Sequence, residues 1–351
     1  MIAVSITCAR ATQVEIPLNL DYLLLDAALK QRFYTGPDER AELWNGADNC
    51  GHFYAIDPRL SRAGTNVQLA TQSDFEAALA VAGRCLNAIS WRGNLVATTA
   101  PRITGFTIKF PITDLNFYGG DGTTSGRTAF GLIKSALIDQ LGSFSYDLHP
   151  QLQHLQTMAD GLPAAAAVDQ LRAVLASLRP AQQVVPQDDG VEVGVQMDVP
   201  QSLMSRSAAP LTPAEKAGWQ SALSGAGKLV TATAAQAQAL IQDPQLRDEV
   251  AQIAADSRTR VTTAANAPPA DSDPMPLFRD DWRRLRAALK AAARRGSLGD
   301  QTVMVLAATT VGDAIFALDE RVPGLGSQLS RAGAAGLRLL PPLDTWTVWN
   351  K

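Results

Sequence analysis

Hydrophobic periodicity changes character near residue 145, and that change limits the fold to a mixture of sheet and helix. Before it, short β-branched or alternating runs trade places with helical ones. Ile2–Cys8 reads as a strand. Pro17 then leads an amphipathic helix from Leu18, with Leu20, Leu23, Leu24, Ala27 and Ala28 at helical spacing. The segment around Gly36-Pro37 reads as a turn. His52–Ile56 is a short strand ended by Asp57-Pro58. Ser73–Leu86 reads as a second helix, because Ser73 and Glu76 have capping-box spacing. Ile103–Phe110 and Leu115–Tyr118 read as strands, and Phe130–Leu141 as a helix stopped by Gly142.

Beyond residue 145 the chain is Ala-rich, and helices are expected at 151–178, 213–224, 229–257 and 278–295. Clean alternation over Val191–Val199 interrupts them as a strand. Residues 263–276 read as a mobile Pro/Ala/Asp linker. Thr302–Ala307 and Trp346–Trp349 are strand-like. The expected organisation is α+β: a core over 1–145, a helical domain or insertion over 146–300, and C-terminal β segments over 301–351 that return to the core.

Composition removes several classes. With 351 residues, 46% hydrophobic and 19% charged, the chain can bury a core and is not disordered throughout. No apolar run reaches about 18 residues, which argues against a membrane span and a membrane partner. The start has no basic region followed by a long apolar stretch, so a signal peptide is not expected. Cys8, Cys50 and Cys85 have no CxxC spacing. They argue against a disulfide scaffold and a zinc finger, and suit a cytoplasmic setting.

A pI near 5.7 and a net charge of −3 differ from the basic excess of a free-standing nucleic-acid-binding domain. The charge is unevenly placed, however. Arg279–Arg295 holds seven basic residues and two acidic ones. Arg283, Arg286, Lys290 and Arg294 fall on one helical face, beside a packing stripe of Trp282, Leu285 and Leu289. That face reads either as a contact for a phosphate backbone or as an ordinary solvated helix face.

A second candidate is the glycine-rich run GGDGTTSGRT at 119–128. It matches neither a P-loop nor a dinucleotide fingerprint, so no cofactor is implied. It reads either as a turn between strand and helix or as a loop approaching an RNA or DNA backbone. In the second case Gly119, Gly120 and Gly122 supply amides, Thr123, Thr124 and Ser125 hydrogen bonds, and Arg127 charge. His149 and His154 are off one face, which is poor metal spacing. His52 lies near Cys50, but a nucleophilic pair needs contact in space. Asp188-Asp189 beside Gly190 reads as a polar turn. No hydrolase or metalloenzyme motif is present, and no catalytic residue is assigned.

Three N-terminal features in order carry a resemblance: the strand Ile2–Cys8, the LDYLLLDAAL helix, and GFTIKFPITDLNFYGGDG at 105–122 before another helix. The matching residues are Leu20, Asp21, Leu23, Leu24 and Ala27, then Phe117, Tyr118, Gly120 and Asp121. The pattern resembles the Cas5-like proteins of type IV CRISPR systems, within the repeat-associated (RAMP) superfamily. The match spans about 140 residues. The family's C-terminal Gly-rich loop has no counterpart, and the long Ala-rich half and acidic pI depart from the pattern.

The resemblance implies a ferredoxin-like (RRM-like) core and a non-catalytic role in antiviral defence. Such a subunit contacts the guide RNA backbone and neighbouring subunits in a ribonucleoprotein complex that meets a DNA target. Two other readings stay open. One is a protein-interaction or scaffold module without nucleic acid. The other is an enzyme with a site assembled from scattered residues.

Overall fold

The computed structural model describes residues 11–46, 50–81, 84–120, 127–160, 166–205, 212–217, 220, 223, 235, 241–266 and 275–325. The expected strands Ile2–Cys8 and Trp346–Trp349 lie outside them. The architecture is mixed α and β. The chain forms two compact units, one of Asn19–His149 with Gln182–Val193, the other of Met1–Leu18, Pro150–Ala181 and Gly194–Lys351.

The first described element, β1 (Ala11–Asp21), alternates, with Val14, Ile16, Leu18 and Leu20 buried. This alternation carries the strand through Leu18, where a helix is expected, and α1 (Tyr22–Phe33) starts four residues later. The Leu23 amide donates to the Asp21 carboxylate at 2.9 Å, so Asp21 is the N-cap. β1 lies beside β11 (Gly190–Pro200), which lies beside β10 (Arg179–Pro186). The alternation of Val191–Val199 is borne out by β11, whose Val191, Val193, Val195, Met197 and Val199 are buried.

Within the first unit, β2 (Arg40–Asn45), β3 (Gly51–Ala63), β4 (Asn66–Val81), β5 (Arg84–Thr99) and β8 (Ile112–Gly119) form a five-stranded sheet in chain order. All four pairings are antiparallel. β3 does not end at Asp57-Pro58. It bulges between Ile56 and Arg59, with Asp57 in the left-handed region at φ 52°, and runs on to Ala63.

The expected helix over Ser73–Leu86 is instead the long hairpin β4–β5, paired from Val67↔Thr99 to Val81↔Arg84 with a register shift between Ala77 and Ala78. Val67, Leu69, Thr71, Ser73 and Phe75 are buried at every second position, a strand period. Ile103–Phe110 is likewise not one strand. β6 (Arg102–Thr104) and β7 (Thr107–Lys109) turn about Gly105, at φ 57°, and β7 pairs onward with β9 (Ser145–Asp147). α2 (Arg127–Gly142) packs on β2 and β8, and α1 packs on β3 and β2.

The other unit is helical apart from its strand segments. The expected helix 151–178 is two helices, α3 (His149–Asp160), which starts at the unit boundary, and α4 (Ala166–Ala176). Residues 213–217 are helical behind a reciprocal cap. There the Thr212 amide donates to Glu215 and the Glu215 amide to Thr212 Oγ1. Of the expected helix 229–257, residues 229–240 lie outside the described ones apart from 235, which is helical; residues 241–243 are not helical, and α5 (Pro244–Asn266) follows and runs into the expected linker. α6 (Met275–Arg294) takes up that linker's last residues.

Thr302–Ala307, expected as a strand, opens α7 (Thr302–Arg321). Its β-branched residues are compatible with a helix whose Val305, Leu306, Thr309, Thr310 and Val311 are all buried. Among the described residues, Gly299–Arg321 is one helix long and apolar enough to cross a membrane by length and composition. In this unit it packs on α6.

Candidate nucleic-acid interface

The glycine-rich run starts where β8 ends. Gly119 pairs with Gly93 in the last register position, and Tyr118 pairs with Asn94. A side chain at Gly93 would meet the Tyr118 carbonyl oxygen at 2.1 Å, so this crossing tolerates only glycine. Gly120 faces open space, so packing does not demand glycine there. Gly122, Thr123, Thr124 and Ser125 lie outside the described residues, as does the side chain of Arg127.

What is fixed is the frame of the run. The ring of Phe117 on β8 stacks on that of Phe130 on α2 with centroids 4.0 Å apart. Phe130 also meets Trp91 at 5.0 Å and Phe75 at 5.3 Å. Phe117, Phe75 and Phe130 are buried, so strand end and helix start are clamped by one aromatic cluster.

The basic helix α6 is built differently from the expected cationic strip. Its charges meet opposite charges brought from α5 and α7. Arg260 pairs with the buried Asp281, and Arg284 with Asp256 at 2.7 Å. Arg279 reaches Glu320 at 3.1 Å and the buried Asp319 at 3.6 Å. Arg286 pairs with Asp313 at 2.8 Å, and Asp313 also accepts from the Trp282 indole N–H at 2.8 Å. Just beyond α6, Arg295 pairs with Asp243 at 2.6 Å and holds that carboxyl down at about 2.

Of the four residues assigned to one open face, Lys290 is therefore buried, at 9% exposure, and Arg286 is half-buried and paired. The physical reason is that the face is shared with the packing stripe. Leu289 and Ala292 join Leu246, Val250, Ala288 and Val305 in one core cluster. Arg283 and Arg294 remain exposed, and Arg283 makes only a surface pair with Asp280.

The remaining candidates resolve simply. Cys50 is bonded to Cys85, which overturns the expectation that the cysteines stay unpaired and removes a Cys50–His52 nucleophile from the oxidised chain. Spacing in sequence did not reveal the pair because β3, β4 and β5 bring it together across the sheet. His52 instead stacks on Tyr54 at 4.4 Å, and Arg40 covers the Tyr54 ring, also at 4.4 Å. The His149 amide donates to Asp147, a local cap. His154 has no described side chain. Asp188 pairs with Arg62 at 2.9 Å, and the Asp189 carbonyl accepts from the Tyr22 amide, as suits a polar turn. Among the described residues no group of three His, Cys, Asp or Glu side chains is placed to hold a metal.

Two features were missed in the sequence. One is the buried Asp26 on α1, whose carboxylate accepts from the Leu60 amide at 2.8 Å, beside the bulge. The other is the disulfide. A polar residue on an apolar helix face was the available signal for the first.

Compared with known families and with curated proteins, the chain matches no family model and no curated protein.

Proposed function

We propose that this chain is a non-catalytic subunit of a CRISPR-type ribonucleoprotein complex, working in the cytoplasm and contacting guide-RNA backbone and neighbouring subunits. One observation carries the reading. The two segments of the RAMP-like pattern fall at strand-to-helix junctions, the Asp21-capped start of α1 and the Gly119–Arg127 passage from β8 into α2. In this reading a ferredoxin-like core underlies those junctions, and the five-stranded meander elaborates it. The loop 119–128 approaches the RNA. Exposed Arg283 and Arg294 add phosphate contacts, whereas paired Arg286 and buried Lys290 hold the helices together.

The test is to purify the full chain from its native host without nuclease and sequence what co-purifies. Short RNA of uniform length with several partner proteins supports the proposal, with binding that weakens steeply as salt rises. A protein free of nucleic acid that also fails to bind RNA at low salt refutes it. The internal neutralisation of α6 favours a second reading, a protein-interaction module without nucleic acid. That reading predicts partner association that persists in high salt.

A further inference from the structure

The distal end of the β4–β5 hairpin is held in an unusual way. β3 pairs with β4 only as far as Gly51↔Ala77, with one more bond from the Ala78 amide to the Cys50 carbonyl at 2.7 Å. β8 pairs with β5 only as far as Gly93. Past Ala77, residues 78–81 pair only with 84–87, whereas Ile89–Arg92 lie opposite Asp74–Ala77, which β3 still flanks. Two strands without a third are marginally stable in water. Leu86, on this arm, is 57% exposed, and Ile89, at its base, 43%, so burial does little to hold it.

One covalent tie compensates. Cys85, opposite Ala80 on the arm, is bonded to Cys50 at the root of β3. The two sulfurs are unequally placed: Cys50 is buried at 6% exposure, whereas Cys85 lies on the exposed strand. Thiol attack on a disulfide takes place at the sulfur a nucleophile can reach.

We propose that Cys50–Cys85 is a thiol-exchange site at which low-molecular-weight thiols act, and that its redox state sets whether the distal hairpin is ordered. A thiolate such as that of glutathione attacks Cys85 Sγ. A mixed disulfide forms there, and the Cys50–Cys85 bond breaks with the electron pair leaving on Cys50 Sγ, which takes up a proton. A second glutathione resolves the mixed disulfide, so two thiols are oxidised to one glutathione disulfide while the protein gains two free thiols. The arm of residues 78–81 and 84–87 then frays, because only its two-stranded ladder remains. The sheet below it keeps the Phe53, Phe75, Phe117 and Phe130 cluster. This inference does not depend on the RNA reading.

The experiment uses the full chain carrying Cys8→Ser, so that only this pair reports. Oxidised and glutathione-reduced samples are compared by hydrogen–deuterium exchange, and limiting glutathione is followed by peptide mapping. Expected are no alkylatable thiol before reduction and glutathione found on Cys85. Exchange over residues 78–87 should rise by about tenfold or more on reduction, with the strand segments 66–76 and 89–99 unchanged. The Cys50→Ser/Cys85→Ser variant should match the reduced protein. The unmutated chain under reductant gives the same reading if that variant does not fold. Two free thiols in air-oxidised protein, glutathione on Cys50, or exchange over 78–87 indifferent to reduction would each overturn the proposal.

Discussion

Asp26 is the residue whose titration this fold exposes most directly to measurement. It lies on α1, is 9% exposed, and binds the Leu60 amide. Burial pushes its carboxyl up to about 7, against the opposing pull of the Leu60 N–H, Arg59 and Lys30 and with a further push from Asp21. The folded state therefore holds a proton that the unfolded chain has released. For an acid shifted upward, the stability contribution is fully present below the unfolded value near 4. It is lost as pH rises through about 7. At about 1.4 kcal/mol per unit, Asp26 removes about 3 kcal/mol between pH 5 and pH 8. Asp26→Asn keeps an acceptor for Leu60 and cannot ionise. The variant should match the natural chain only below about pH 4, and its advantage should grow by about 3 kcal/mol between pH 5 and pH 8. Hydrogen exchange of peptides from β3 reads this locally, as the free energy of opening at each pH. A difference between variant and natural chain that does not change with pH, or that shrinks as pH rises, would refute the argument.

The helical unit yields two further tests. The Trp282 ring packs so closely on Gly312 that an added Cβ would lie 2.1 Å from it, so Gly312→Ala must part α6 from α7. A loss of about 1–3 kcal/mol is expected in denaturant unfolding followed by helical circular dichroism, and an unchanged midpoint would contradict that packing. Arg286→Ala removes the cation paired with the Asp313 carboxylate, which is 17% exposed and keeps the Trp282 N–H, whereas Arg283→Ala breaks a pair exposed on both sides. The first should cost about 1–2 kcal/mol after allowing for its partial exposure, the second less than about 0.5 kcal/mol. Equal costs would mean that the two charges have the same surroundings. By the same reasoning, RNA-binding tests should reverse Arg283 and Arg294, because reversing Arg286 or Lys290 mixes binding with folding.

Where one periodicity dominates a segment and nothing distant competes, the sequence is legible. β11, β8, α2 and α6 belong to this class. It misleads where a local motif competes with distant partners. Ser73 and Glu76 have the spacing of a capping box, yet that stretch is a strand held between β3 and β5. Thr212 and Glu215 have the same spacing and do form the reciprocal cap. The difference lies in the neighbours. Val67, Leu69, Thr71, Ser73 and Phe75 go inward at every second residue and have strands on both sides to pair with. Pairing with the strands on both sides, β3 and β5, outweighs helix propensity, which is a weak prior. The opposite error at Thr302–Ala307 has a related cause. β-branched residues suit a helix when its surroundings bury most of its circumference.

The candidate site suffers from the same non-locality, through charge instead of hydrogen bonding. Read alone, Arg279–Arg295 is the most basic stretch of the chain. The acids that answer it, Asp243, Asp256, Asp313, Asp319 and Glu320, come from outside it. A basic stretch is a phosphate site only to the extent that its charges are not already spent on the fold. Here that leaves Arg283 and Arg294 on α6, one surface-paired and both exposed, as the positions where a polyanion would be felt. A polyanion contacting so few cations would bind weakly and with a shallow salt dependence unless the glycine-rich loop also took part. The slope of log affinity against log salt therefore discriminates between the two contacts. A slope near that of two neutralised phosphates assigns binding to α6 alone, and a steeper one requires the loop.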